Sequence, residues 1–161
     1  MGRVLQHMRA IRSTAVQIRS ARTEDLARLC EFAGELLLKW DAQTTGRDAE
    51  RVYRHILAHP ELGIILVAEH TEGLCGFAYG TFEWRAEFGG ETMDLVELFV
   101  ESSWRNRGVG RTLLDSLISQ ARTRNISHFT CQVHPGNSAV ERVLESSGFD
   151  PQRRTVWGLR L

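Results

Sequence analysis

Between an apolar run, Leu95-Val96-Glu97-Leu98-Phe99-Val100, and a strongly periodic helical segment lies Arg105-Asn106-Arg107-Gly108-Val109-Gly110. A strand that turns through glycines into a helix presents bare backbone N–H groups at the helix's positive end, which suits a diphosphate. The flanking arginines can add charge-assisted hydrogen bonds to the same oxygens. The stretch therefore predicts a ligand carrying a pyrophosphate, with an ordinary helix start as the plainer alternative. It lacks the Lys-Ser/Thr of a nucleoside-triphosphate loop, so phosphoryl transfer is not expected. It also lacks the third glycine and the preceding strand-helix-strand unit of a dinucleotide fingerprint. The second chemical candidate is Glu97, an acid inside an otherwise apolar strand. Partial burial would raise its pKa toward the useful range of a general base. It could instead face solvent or recognise substrate charge. Glu83 and Asp94 are the reserve acids.

The elements that must hold these residues can be read from periodicity and punctuation. A short strand, Val16–Arg19, precedes a helix capped by Thr23, with Glu24 and Asp25 in its first turn. Leu26, Leu29, Ala33, Leu36 and Leu37 give that helix one apolar face. A second helix over Asp48–Ala58 is expected to bury Val52, Ile56 and Leu57, before Pro60 and Gly63 interrupt. Strands Ile64–Glu69 and Leu74–Trp84 form a hairpin. The loop Arg85–Glu91 leads to a third meander strand, Thr92–Val100. Val109, Leu113, Leu117, Ile118 and Ala121 stripe a helix ending near Asn125, followed by a strand at Ser127–Val133 and a break at Pro135-Gly136. The last helix spans Ala139–Ser147, with a Ser138/Glu141 capping box and Gly148 as its left-handed end. Phe149 and a strand, Val156–Leu161, close the chain. A meander followed by strand–helix–strand–helix–strand makes this an α/β protein with a mixed sheet.

Composition bounds the function. The 161 residues are 42% hydrophobic, which fits one domain over 16–161 behind an N-terminal extension at 1–15. Twenty basic and twenty acidic residues cancel, so no net field favours nucleic acid or an anionic membrane. The distribution is uneven: Arg3, Arg9, Arg12, Arg19 and Arg22 crowd the start, whereas Glu83, Glu87, Glu91, Asp94, Glu97 and Glu101 make 83–101 acidic. Both stretches could be solvated surface, although an acidic rim beside a cleft would suit a cationic or amine substrate. Cys30, Cys75 and Cys131 are scattered among apolar residues and read as reduced thiols, which implies a cytoplasmic protein. Ile64–Ala68, the longest aliphatic run, is far short of the roughly 20 residues of a membrane helix. The six histidines, including His55 and His59 at i and i+4, show no metal spacing.

Arg105, Gly108 and Gly110 fit the pattern Arg/Gln-x-x-Gly-x-Gly/Ala between a fourth strand and a third helix. Residues Asn137 to Phe149 form an Asn-started helix ending in Gly-Phe, and Ile18-Arg19 followed by Thr23-Glu24-Asp25-Leu26 gives the usual first strand and helix. Over residues 16–161 the chain thus resembles the GNAT superfamily of N-acetyltransferases. That resemblance implies a mostly antiparallel mixed sheet flanked by helices, with the fourth and fifth strands splayed apart. It also implies acetyl-CoA as cosubstrate, with no metal. The pantetheine arm would pair with backbone groups of Leu98, Phe99 and Val100. The pyrophosphate would sit on amides from Arg105 through Asn106, Arg107, Gly108, Val109, Gly110 and Arg111 to Thr112. Arg105, Arg107 and Arg111 could all touch phosphate, but Arg111 could pair with Asp115 at i+4 instead. Asn137 would contact the pantetheine or adenosine side, serve turn and cap chemistry, or do both.

Attack of a neutral amine on a thioester carbonyl needs a base, an N–H for the developing oxyanion, and proximity. Glu97 is the candidate base, and many family members place an acid there. Strand amides near Leu98 can supply the N–H. Trp84 and Glu83 are the expected substrate contacts, because that segment often forms the family's acceptor pocket. Trp104 packs beside the loop. The family often uses a tyrosine of the last helix to protonate the departing sulfur, but the aligned residue is Leu144, which periodicity assigns to core or cleft wall. Tyr79, Ser146 or water could replace it, and a thiol with a pKa of about 8.5 is a tolerable leaving group unaided. The expected function is direct acetyl transfer from acetyl-CoA to a primary amine of a small molecule or peptide. The competing reading is an acyl-CoA-binding sensor or interaction module, kept open by Leu144. A nucleic-acid partner is not expected, and one strand rather than a pair after Phe149 leaves room for a homodimer.

Overall fold

The computed structural model describes residues 15–39 and 44–159. The expected strands and helices are all found among them except the last strand. In chain order they are β1 (Gln17–Ser20), a 3-10 turn (Thr23–Asp25), α1 (Leu26–Lys39), α2 (Gly46–Ala58), β2 (Gly63–His70), β3 (Gly73–Arg85), β4 (Gly90–Val100), α3 (Val109–Thr123), β5 (His128–Cys131) and α4 (Ser138–Ser146). The strands form one sheet in the order β1-β2-β3-β4-β5. The first three pairings are antiparallel, and β4–β5 is parallel because α3 carries the chain back across the sheet. This is an α/β fold, a mixed five-stranded sheet flanked by helices.

Apolar residues lie on both faces of the central strands, and each face has its own core. Under α3 and α4, Leu113, Leu114, Leu117 and Leu144 pack on Ala78, Met93 and Leu95. Under α1 and α2, Leu29, Phe32, Tyr53 and Ile56 pack on Val67, Phe77 and Phe99.

Several local expectations change. Thr23 does not cap α1; it begins the 3-10 turn, and the Asp25 carboxylate instead accepts the Arg22 N–H at 2.7 Å. In α2 the buried residues are Tyr53 and Ile56, while Val52 is 43% exposed, because the apolar stripe starts one position later. The N-cap of α4 is Asn137 rather than Ser138, and its carbonyl accepts from Val140 and Glu141. The described part of the expected strand Val156–Leu161 is irregular and exposed. Just ahead of it, Arg154 is drawn away to Glu87 at 3.0 Å and over the Phe88 ring. Arg3, Arg9, Arg12, the rest of the N-terminal extension to 14, Trp40 and the last two residues of that strand lie outside the described residues.

One ion cluster ties β1 to the start of α1 and to β2. Arg19 forks onto Asp25 at 2.7 and 3.0 Å and reaches Glu69 at 2.8 Å. Asp25 is buried, and the Arg19 hydrogen bonds hold its carboxyl below the usual carboxylate range. Arg19→Met strands that charge and should cost about 2 kcal/mol near neutral pH, less than for a fully buried pair because the cluster is partly wet. A depressed carboxylate contributes stability above its unfolded pKa and loses it as pH falls through the folded one. Urea denaturation should therefore show the variant and the parent protein converging in acid.

Candidate active site

The parallel pairing of β4 with β5 lasts four residues, from Thr92↔His128 to Leu95↔Cys131. The next residue of β4, Val96, is a bulge: Tyr79 faces Glu97 and Gly80 faces Leu95, so Val96 has no counterpart across the ladder. A bulge bends its strand and increases the local twist, and here β4 leaves β5 immediately afterwards. This is why β5 is shorter than the strand expected over Ser127–Val133. The gap is a cleft of about 820 Å³, with Asp94, Glu97 and Leu98 on one wall and Val133, Asn137 and Val140 on the other.

The extra residue also aims Glu97. Met93 and Leu95 point into the α3 core, and strict alternation would send Glu97 after them. With Val96 bulged out of the ladder, Glu97 falls on the other face, where the Tyr53 hydroxyl of α2 donates to its Oε2 at 2.5 Å. Burial pushes the Glu97 carboxyl up, and the Tyr53 hydrogen bond pulls it partly back. Asp94 lines the same cleft. Its carboxyl is also raised by burial, against a 2.8 Å hydrogen bond from Thr130 Oγ1.

Beyond the bulge the β4 edge is open. The Val100 carbonyl points out of the ladder and accepts Arg105 Nε at 2.9 Å. The two-residue period places the Leu98 N–H and C=O on that same open edge. Phe99 differs: it opposes Phe77 in the ladder, and its ring packs against Phe32 at 4.9 Å.

Beyond β4 the chain turns through Asn106 (φ 59°) and Gly108 (φ 81°) into α3. Gly108 is the N-cap and brings no side-chain cap. The first helical bond runs from Thr112 N–H to the Gly108 carbonyl at 2.9 Å. The amides of Val109, Gly110 and Arg111 are therefore left without a partner among the described residues, whereas Thr112 spends both its N–H and its hydroxyl on Gly108. No heavy atom comes within 4 Å of where a Cβ at Gly108 would stand, so the approach to these amides is clear. Val109 is buried, and Gly110 lies against the Val100 side chain. Such a cradle fits a diphosphate.

Residues 25–149 match the sequence profile of the Acetyltransferase (GNAT) family. The chain belongs to this family. No curated protein matches the sequence. The fold is similar to an integron cassette protein from the mobile metagenome of Cole Harbour Salt Marsh (TM-score 0.79, 21% identity, 90% of each chain covered). It is also similar to the aminoglycoside N-acetyltransferase AAC(6')-Iy in complex with CoA (TM-score 0.77, 17% identity, covering 91% of this chain and 95% of that one). A third likeness is to a predicted acetyltransferase with acetyl-CoA from Clostridium acetobutylicum (TM-score 0.75, 18% identity, covering 90% and 96%).

Around the GNAT cleft the other expected residues divide. Arg105 and Arg107 are exposed beside the cradle, Arg107 with its guanidinium 5.2 Å from the Trp104 ring centroid. Arg111 is engaged elsewhere, with Asp115 at 3.2 Å and Ser146 Oγ at 2.9 Å. The Asn137 side chain makes no cap hydrogen bond and lines the cleft. Trp84 is 81% exposed on the face of β3 opposite Tyr79, and Glu83 pairs with Arg85 at 2.8 Å; neither lines the cleft. Leu144 is buried in the α3 core, and the Ser146 hydroxyl is held between Arg111 and the Val143 carbonyl. Tyr53 was not singled out from sequence at all. Its signal was Ala49, Tyr53 and Ile56 at i, i+4 and i+7, a better helical stripe than one through Val52.

Proposed function

We propose that this GNAT protein transfers an acetyl group from acetyl-CoA to a primary amine of a small molecule or peptide, both bound at once. The observation that carries the reading is the splay. One bulge opens a cleft lined by an acid with a raised pKa, and the strand that carries this acid leads on through the Arg/Gly turn to a bare helix N-terminus. Acetyl-CoA, when bound, supplies an acetyl thioester. The unpaired amides of Val109, Gly110 and Arg111, with Arg105 and Arg107, would hold its diphosphate, and the open edge at Leu98 and Val100 together with Asn137 would align its arm. Glu97 would take the proton from the incoming ammonium, the amine nitrogen would bond to the acetyl carbon, and as the C–S bond breaks the proton remaining on that nitrogen would pass through water to the departing sulfur, releasing the CoA thiol. The Leu98 N–H would face the charge that develops on the thioester oxygen.

A panel of amines with acetyl-CoA, read by release of free thiol, tests the reading; no release with any amine would overturn the enzymatic part. The second reading, an acyl-CoA-binding sensor, is favoured by Leu144, whose burial leaves no acid on α4 at the position of the family's usual tyrosine. Acetyl-CoA binding without turnover would select it.

The arginines give a further expectation. Arg107 has no carboxylate partner among the described residues, so its guanidinium is available to phosphate. Arg107→Ala should weaken acetyl-CoA about tenfold, the worth of one charge-assisted hydrogen bond, and the loss should shrink with added salt. Arg111→Ala should change affinity by no more than about threefold, because its charge is already spent on Asp115. Isothermal titration of both variants checks the contrast, and equal losses would assign Arg111 to the phosphate as well.

A further inference from the structure

The chain has only two tyrosines, and both converge on Glu97. Tyr79 opposes it in the β3–β4 ladder. Tyr53, from α2, is 1% exposed, stands edge-on to the Phe77 and Tyr79 rings, and donates to Glu97 Oε2. A phenol so enclosed is held by packing before it holds anything else.

We infer that Tyr53 is the positioning residue of the reaction: by fixing Oε2 from behind, it turns Oε1 into the cleft as the proton acceptor. This rests on the reading of Glu97 as the base. Two observations support the division of labour between the oxygens. Oε2 makes the one side-chain hydrogen bond found for Glu97 among the described residues. No fully buried side-chain oxygen lacks a partner, so Oε1 is not sealed away; it belongs to a residue that lines the cleft.

Other groups around Glu97 do not duplicate this role. Tyr79 is pushed up to about 12, by burial and then by the Glu97 charge, and stays a neutral wall at working pH. Burial and the same charge drive Tyr53 higher still, so its proton stays put and the bond keeps one direction. Cys30 of α1 meets the site only through Tyr53 and is itself raised by burial. Asp94 on β4, with Cys131 and His134 on the far wall, lines the cleft but makes no bond to the Glu97 carboxyl.

The test is the pH dependence of amine turnover at saturating acetyl-CoA in Tyr53→Phe. Losing a hydrogen bond to the charged form raises the carboxyl pKa, so the acid limb should move up by roughly one pH unit, about a tenfold loss on the acid side. The KM for acetyl-CoA should not move. A limb that stays in place overturns the inference even if turnover falls, because a merely structural tyrosine would lower the rate at every pH alike. A second measurement needs no variant. Protein labelled with 3-fluorotyrosine carries two fluorine signals, and that of Tyr53 should shift at the pH midpoint of the rate profile. A flat Tyr53 signal through that pH also overturns it. Glu97→Gln separates the layers: if it keeps full turnover, the base reading fails and this inference with it. If it is inactive while the Tyr53→Phe limb is unmoved, only the positioning role fails.

Discussion

Gly108→Asp is expected to abolish acetyl-CoA binding in a protein that still folds. The position tolerates the new side chain sterically, since nothing lies within 4 Å of its Cβ. Its φ of 81° is left-handed, a conformation that costs most residues about 1 kcal/mol and aspartate less. Against that cost, a carboxylate at an N-cap accepts the orphan amides and favours the helix dipole by roughly 0.5–1 kcal/mol. The same carboxylate occupies the amides a diphosphate would use and repels its charge. Folding and binding should therefore part company. In the unchanged protein, acetyl-CoA at a hundredfold over its dissociation constant should add about 2.7 kcal/mol of stability, seen as a rise in melting temperature. In the variant that rise should vanish while the ligand-free melting temperature stays close to the parent's. Equal ligand-induced rises would show that the diphosphate lies elsewhere.

Glu97→Gln should lower turnover by about 10² to 10⁴-fold, the usual range for a lost general base, with acetyl-CoA affinity unchanged. The carboxyl is raised by burial, and a base works only when deprotonated. The parent's rate should therefore fall, as pH drops, above the ordinary glutamate range. The same shift has a stability counterpart of opposite sense. A glutamate with a raised folded pKa binds its proton more tightly when folded, so stability declines as pH climbs from the unfolded value through the folded one. Glutamine carries no such penalty and can still accept from Tyr53. The variant should consequently melt higher than the parent near pH 8 and lose that advantage in acid. An inactive variant that is also less stable at pH 8 would place Glu97 in the architecture rather than the chemistry.

The parts of the site that were legible in the sequence are those whose chemistry is local. The Arg/Gly loop announces itself because left-handed glycine, helix start and cationic side chains all sit within a few residues. Gly148 and Phe149 are similar: Gly148 has φ 88°, and the Phe149 N–H returns to the Leu144 carbonyl at 3.1 Å. What could not be read depends on partners far along the chain. The hydrogen bond from Tyr53 to Glu97 spans 44 residues, and placing the α2 stripe one position early hid it. The run Leu95–Val100 reads as an uninterrupted strand, because a bulge is a property of two strands in register. Its faint trace is Gly80 opposite, where a Cβ would come within 3.3 Å of Met93. The C-terminal segment failed in the reverse direction: its apolar residues suit a strand, but a strand exists only against a neighbour.

Val96 gives this sheet the character of a text with one inserted letter. A strand is read in steps of two, and a bulge absorbs one extra residue by bending the chain, so that those beyond it keep the faces they would have without it. Deleting that valine would leave the cradle sequence and both tyrosines in place and remove no acid. Glu97 would then follow Leu95 directly and keep its Tyr53 face, but the bend at which β4 leaves β5 would be straightened and the cleft beside it narrowed. The shape of the candidate site thus rides on chain length at one position as much as on composition, and a three-nucleotide slip there would alter the cleft without replacing any residue that lines it on either side of the bulge.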